Sequence, residues 1–321
     1  MLNIWQAPPW EDRPSEVEPT LFLQHVRYLF EDNEQAIEHV LNFIAHLVQR
    51  PDERANHAIL LTSEAKGIGK STLGTIIRRL VGERNSSVAQ SKDLKSQFDG
   101  WLMGKLVVQV DEVYEHGNAD LSNRLKPILT EPTVSVNIKY GPQMEVKNFA
   151  RLILFSNHSA PIDIEDGDRR YFVFDSKAQP RGPDYYERLN ASIGSDKGMA
   201  AIYWWLRRRC LAAFRPYAAP PLTAHKEAII EASGNPLKHY LEEAVHSGHL
   251  LAMLGPEFAM DELLRQLGRD GYGALTKSTK EVGLALKAAG VVPVRPMVNG
   301  RRARLHRLPD WAINAGEPME F

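Results

Sequence analysis

The residues best placed to do chemistry are Gly67-Ile68-Gly69-Lys70-Ser71-Thr72, between an apolar run and a helical one. Small residues let backbone N–H groups turn inward around phosphate oxygens, and a helix starting at the loop adds the positive end of its dipole. In this pattern Ala65, Lys66, Gly67, Ile68, Gly69, Lys70, Ser71 and Thr72 cradle a nucleoside triphosphate. Lys70 reaches the β- and γ-phosphates, and the Ser71 hydroxyl holds Mg²⁺. The full motif asks for glycine at position 64, where this chain has Glu64. A carboxylate there repels phosphate unless Lys66 compensates. The bland alternative is a glycine-rich helix start carrying a surface lysine.

Hydrolysis needs a second, acidic element. Val107-Val108-Gln109-Val110 runs into Asp111-Glu112 about 40 residues downstream of the loop. An apolar strand would push both carboxylates out at its C-terminal edge, where ligands sit in parallel sheets. Asp111 then takes Mg²⁺, and Glu112 polarises the attacking water. A third apolar run, Leu152–Phe155, ends in Ser156-Asn157. The Asn157 amide could orient a water near the γ-phosphate if its strand lies beside the acidic one; otherwise it is a turn residue. Arg169 and Arg170 follow Asp168. Either guanidinium could stabilise the developing charge of phosphoryl transfer from across a subunit boundary. The alternative is a surface ion pair with Asp166 or Asp168.

These groups need a scaffold. Buried strands at Ala58–Leu61, Leu106–Val110, Leu152–Phe155 and Tyr171–Phe174, alternating with helical stretches such as 70–80, predict an α/β domain with a mostly parallel sheet over 56–217. Ahead of it, residues 1–55 form a helical segment. Apolar residues recur at helical spacing from Leu21 to Val48, with Asp32-Asn33-Glu34 as the break and cap, and Pro51 ends the second helix. Ala218–Pro221 reads as a linker. Residues 222–321 read as helices at 235–247, 260–269 and 278–289, then two short strands around Asn299-Gly300: a small winged-helix-like domain.

Composition sets the bounds. Apolar residues are 43% and charged residues 25% of the 321, which excludes disordered, collagen-like and coiled-coil classes and allows roughly two domains. The longest apolar runs are far short of a membrane span, and the N-terminus lacks the pattern of a secretion signal. A single cysteine, Cys210, makes no internal disulfide and is expected buried and inert. The expectation is a soluble cytoplasmic protein. Its net charge of −1 hides an asymmetry: residues 1–55 carry 10 acids against 4 basic residues, whereas 277–307 carry 8 basic residues against Glu281 alone. Arg301, Arg302 and Arg304 beside a hairpin turn would suit a wing gripping a DNA backbone. They would equally suit docking on an acidic neighbour.

The GxGKST loop, the Asp111-Glu112 strand, the Ser156-Asn157 strand and Asp168-Arg169-Arg170, in this order, resemble superfamily 3 helicases, above all the helicase portion of phage, plasmid and poxvirus-type primase-helicases. Gln97–Lys105 and the helices from Leu21 fit the same pattern, so the resemblance covers about residues 20–175. It implies an AAA+-like P-loop ATPase fold and a homo-hexameric ring with ATP between subunits. It further implies 3′-to-5′ movement on single-stranded or forked DNA. It leaves open whether a primase or initiator protein is a partner. No primase signature precedes the helicase region, so a stand-alone helicase or a fragment is expected. Family members also carry a channel hairpin. Here it would span 134–147, with a three-residue loop Gly141–Gln143 pairing Ile138 with Val146, Lys139 with Glu145 and Asn137 with Lys147. Lys139 and Lys147 would then share one polar face toward DNA, with Tyr140 against a sugar or base. Two other functions compete: a P-loop small-molecule kinase, which needs no ring, and a DNA-binding replication factor whose ATPase has decayed.

Overall fold

Asn33 starts the second of two helices that precede the first strand. In the computed structural model, which describes residues 5–114, 119–139, 141–234, 236–273, 276, 278–298 and 301–314, these are α1 (Thr20–Leu29) and α2 (Glu34–Gln49). The Asn33 side chain accepts the Ala36 N–H at 3.0 Å, and Glu31 and Asp32 take left-handed backbone at φ 51° and 53° to make the break. Then follow β1 (Ala58–Thr62), α3 (Lys70–Val81), β2 (Ser86–Gln90), α4 (Ser91–Lys95) and β3 (Val107–Asp111). Next come α5 (Ala119–Thr130), β4 (Thr133–Asn137), β5 (Gln143–Lys147), β6 (Arg151–Ser156) and β7 (Tyr171–Asp175). The helices α6 (Pro183–Gly194), α7 (Asp196–Arg208) and α8 (Ala224–Gly234) close this part.

The main sheet has five strands in the order β2-β3-β6-β1-β7, every pairing parallel. The order is not the chain order: β1 leads to the far edge, and β3 and β6 return between. Each strand except β2 is a near-continuous buried run, as a parallel sheet covered on both faces requires. One face, Ile59, Leu61, Val107, Ile153, Phe155, Phe172 and Phe174, shares a single core with α1, α2, α3, α6 and α7. The helices expected as a separate N-terminal segment are therefore part of the sheet's own core. β2, Ser-Ser-Val-Ala-Gln, is an edge strand with Val88 45% exposed, and its polarity hid it from a reading based on apolar runs.

β7 is the other edge, and its bare carbonyls are covered. The Thr223 hydroxyl donates to Val173 O at 2.7 Å, and the buried Lys226 ammonium donates to Asp168 O and Tyr171 O at 2.6 and 2.8 Å. This pins the first half of α8 to the sheet. By contact the chain divides into Met1–Ile230 and Glu231–Phe321, so the division falls inside α8, past the proline-rich 218–221. Cys210 is exposed, not buried, because α7 ends at Arg208 and the cysteine lies in the turn beyond it.

The second unit holds α9 (Pro236–His246), α10 (His249–Leu254), β8 (Glu257–Phe258), α11 (Met260–Arg269), α12 (Thr279–Ala288), β9 (Val292–Val294), β10 (Met297–Val298), β11 (Arg301–Arg302), β12 (Leu305–Arg307) and α13 (Asp310–Asn314). β8, β12 and β9 form a three-stranded antiparallel sheet, and β10 pairs with β11 across Asn299-Gly300, which lie outside the described residues. Leu241, Leu250, Phe258, Leu263, Val282 and Leu286 make its core. No helix among the described residues is long and apolar enough to cross a membrane.

Several imidazoles are buried neutral in the first unit. His39 and His57 face each other, Nε2 to Nε2, at 3.0 Å, and burial pushes them down to about 4 and about 3. His46 is lowered to about 4, by burial and then by the Arg151 guanidinium. His25 is also lowered to about 4, chiefly by burial. The unfolded chain takes up these protons near pH 6.5 and the folded one does not until about pH 4. Their stabilisation is therefore complete above 6.5 and is lost as pH falls through that window. The expected outcome is a urea midpoint that is level above about pH 7 and drops steadily from pH 6.5 to pH 5, above the range where most carboxylates titrate. A midpoint constant across that interval would show that the imidazoles are not held neutral.

Candidate functional site

Sheet order builds the site. Because β6 lies between β1 and β3, residue 157 emerges between the glycine loop and Asp111-Glu112. A cleft of about 530 Å³ opens there, at the C-terminal ends of these strands. It is lined by residues 66–72, Asp111, Glu112 and Phe155–Asn157, with Tyr186 and Asn190 of α6. The arrangement joins the three elements that the sequence spreads over about 90 residues.

Lys70 is its centre. The residue is only 8% exposed, and its ammonium donates to Asn157 Oδ1 at 2.8 Å and to Ser63 Oγ. Burial lowers its pKa to about 8, with Asp175 opposing weakly. A cation so desolvated, held by two neutral oxygens, gains strongly from an anion. Gly69 caps α3 with φ 98°, a left-handed backbone that glycine tolerates. A Cβ there would sit 2.5 Å from His25 Cε1 and 3.5 Å from Tyr186.

His25, on α1, carries no local sequence signal that marks it. Its Nε2 lies 3.0 Å from Gly69 O, and its Nδ1 lies 2.9 Å from the Tyr185 hydroxyl. A carbonyl only accepts, so Nε2 carries the proton and Nδ1 accepts from the tyrosine. The neutral imidazole thus ties the glycine loop to α1 and α6.

Asp111 accepts two hydrogen bonds from Gln109 Nε2, both 2.9 Å, and Gln109 Oε1 accepts from Arg78 Nε at 3.0 Å. The amide is 3% exposed and fixes the carboxylate in one plane. Glu112 is exposed and takes φ 56°, uncommon for a residue with a Cβ and frequent at functional sites. After it, Val113 N–H returns to Phe155 O at 2.9 Å, locking the ends of β3 and β6 together. The Ser71 hydroxyl and the Asp111 carboxylate are hard oxygen donors lining one cleft, which suits Mg²⁺ completed by phosphates and water.

Other expected residues sit elsewhere. Ala65 does not line the cleft; its carbonyl accepts from Ser63 Oγ at 2.7 Å, and its side chain packs on the core. Glu64 is exposed, also outside the lining, and lies within electrostatic reach of Lys177. Arg169 and Arg170 stand at the N-terminal end of β7, opposite the cleft. Arg170 is bound to Asp168, its Nε at 2.7 Å and its backbone N–H at 2.6 Å, whereas Arg169 is exposed.

The hairpin register differs from expectation. Thr133 pairs with Lys147, Val134 with Val146, Ser135 with Glu145, Val136 with Met144 and Asn137 with Gln143. The paired strands end at Asn137 and Gln143. The expected pairing of Ile138 with Val146 differs by four residues on one strand, an even shift that leaves every side chain on its own face. Alternation cannot separate the two, because both keep Val134 and Val136 on one face. Lys139 lies beyond the last pair and Lys147 at the other end of the ladder, about 13 Å of strand away. They do not form one cationic layer, though both are exposed. Tyr140 lies outside the described residues. In the second unit Arg302 and Arg304 are exposed; for Arg301 only the backbone, paired with Val298, is described.

A family of unknown function (DUF5906) matches residues 61–170, the stretch from the end of β1 to the start of β7. The chain is 29% identical over 211 residues to the DNA Primase-polymerase of Nitratiruptor phage NrS-1, across 63% of this chain and 29% of that protein. It therefore spans less than a third of that relative's length. Two solved structures of the NrS-1 C-terminal region, both apo, share the fold: TM-scores are 0.64 and 0.62, at 20% identity, over 95% of this chain and 79% of theirs. The chain is thus homologous to part of a phage replication protein.

Gly74 lets α3 lie against β3. A Cβ there would meet the Gln109 amide and come within 2.7 Å of Phe155 Cε2. Alanine in a helix interior usually gains ~1 kcal/mol over glycine. Here overpacking, at ~1–3 kcal/mol, outweighs it because Gln109 is held at both ends. Gly74→Ala is expected to lower the urea midpoint at unchanged m-value. A raised midpoint would show that Gln109 yields freely.

Proposed function

We propose that this chain is an ATP-hydrolysing motor of a phage or mobile-element replication system, moving on single-stranded or forked DNA as a ring of the superfamily 3 helicase type. The observation that carries the reading is the Lys70 ammonium, buried at the mouth of the glycine loop and shared between Ser63 and Asn157, across a cleft from Asp111 and Glu112. In the proposed cycle Lys70 gives up Asn157 for β- and γ-phosphate oxygens. That frees the Asn157 amide to orient the attacking water, and Glu112 polarises it. Ser71 and Asp111 would hold Mg²⁺, which supplies charge neutralisation on the phosphates.

The arginine finger is assigned to Arg169. Arg170 is occupied by Asp168, and both stand at the end of β7 away from their own cleft, with about 13 Å of strand between. A trans role at a neighbour's cleft therefore suits Arg169 better than a cis one. Lys139 and Lys147 on the hairpin, and Arg302 and Arg304 on the proposed wing of a winged-helix-like unit, supply exposed cations for DNA phosphates. Tyr140 and Arg301 remain part of the same proposal from sequence. The relative's name supports a setting of DNA synthesis, and a primase or initiator protein as partner belongs to this proposal.

The expected outcome is ATPase activity stimulated by single-stranded DNA and abolished by Lys70→Ala. Arg169→Ala is expected to keep nucleotide binding and to lose roughly 10³-fold or more in turnover. Mixing the two inactive variants should restore part of the activity, since the interface between a Lys70-intact cleft and an Arg169-intact neighbour is complete. Wild-type turnover by Arg169→Ala, or no recovery on mixing, would refute the shared site; unaltered hydrolysis by Lys70→Ala would refute the motor.

A further inference from the structure

The cleft has two walls, and only one of them is used by the chemistry above. Asp111, Glu112 and Asn157 form the wall toward β3 and β6, where the terminal phosphate must lie. The second wall is α6, which presents Tyr186, beside Gly69, and, one helical turn on, Asn190. A triphosphate with its γ end at the first wall directs its nucleoside end toward the second.

Tyr186 is held for that task. Its hydroxyl accepts the Arg181 backbone N–H at 3.2 Å and lies 3.5 Å from the Tyr28 hydroxyl, so the ring is anchored at its polar end, with Cε1 3.5 Å from where a Gly69 Cβ would stand. Its ring meets Tyr185 edge-on at 5.1 Å and 79°. Tyr185 is bound in turn to His25, and His25 to Gly69 O, so the aromatic wall and the phosphate loop are one connected assembly. The Arg181 guanidinium covers Tyr28 and Tyr185 at 4.4 and 4.6 Å, and keeps the cluster closed on its outer side. Asn190 is exposed and offers an amide donor and an acceptor to the same cleft. At about 530 Å³ the cleft falls within the ~300–1,000 Å³ of ordinary small-molecule sites.

We propose that Tyr186 and Asn190 form the base subsite of this cleft: the Tyr186 ring packs on a purine, and the Asn190 carboxamide reads its edge in favour of adenine. An asparagine amide matches the donor and acceptor that adenine shows at N6 and N7. The same edge of guanine shows two acceptors and pairs with it less well. This subsite rests on the nucleotide reading above and extends it from phosphate binding to choice of base.

The test is direct binding by titration calorimetry of the full chain with Mg²⁺ and three probes: ADP, GDP and inorganic tripolyphosphate. Tyr186→Ala is expected to weaken ADP binding roughly five- to hundredfold, the range that ~1–3 kcal/mol of base stacking gives, and to leave tripolyphosphate binding unchanged. Asn190→Ala, a change at an exposed helix position, is expected to bring the ADP and GDP affinities together. Wild-type ADP affinity in Tyr186→Ala, or an ADP-to-GDP ratio unmoved by Asn190→Ala, overturns the subsite while the phosphate site stands. Failure of both ADP and tripolyphosphate to bind the wild-type chain overturns the nucleotide reading and the subsite together.

Discussion

A desolvated ammonium is the constraint on which the rest depends. Lys70 is buried at the start of α3 with two neutral oxygens for company, and its proton affinity falls for that reason. Such a cation is costly to keep unless something anionic repays the burial. The ammonium shares its cleft with the start of α3 and with the carboxylates of Asp111 and Glu112. Three strand ends converge on the lysine because β6 is inserted between β1 and β3.

Keeping this arrangement fixed requires close approach. Gly69 admits His25 to the loop from one side, and Gly74 admits Gln109 from the other. Both contacts carry hydrogen bonds to functional groups: His25 to the loop carbonyl, Gln109 to both oxygens of Asp111. The two glycines therefore serve the site through the space they leave, and only one of them belongs to the glycine loop. The buried Arg151 shows the same economy at the far end of β6. Its guanidinium donates to Arg50 O at 2.9 Å, to Glu53 O and to His46, and so fastens the end of α2 to the sheet.

The periphery follows a different logic. The β7 edge is closed by Thr223 and Lys226, and this carries the first unit halfway into α8. On the β4–β5 hairpin the lysines are spread along the ribbon instead of being stacked.

The sequence by itself determined the local elements. The glycine loop opens a helix, and four apolar runs become buried strands ending at Asp111, Ser156 and Asp175 or leading into the loop; Asn33 caps α2 as its residue type requires. These features were legible because helix starts, turn residues and fully buried strands are written in a few consecutive residues. Tertiary structure alone decided the sheet order that sets Asn157 beside Lys70. It also decided the recruitment of His25, Tyr186 and Asn190 from distant helices, the exposure of Cys210, and the hairpin register. Each of these depends on which surfaces meet in space, and residue order and alternation hold no record of that. An even shift in register or a swapped strand leaves every local pattern intact.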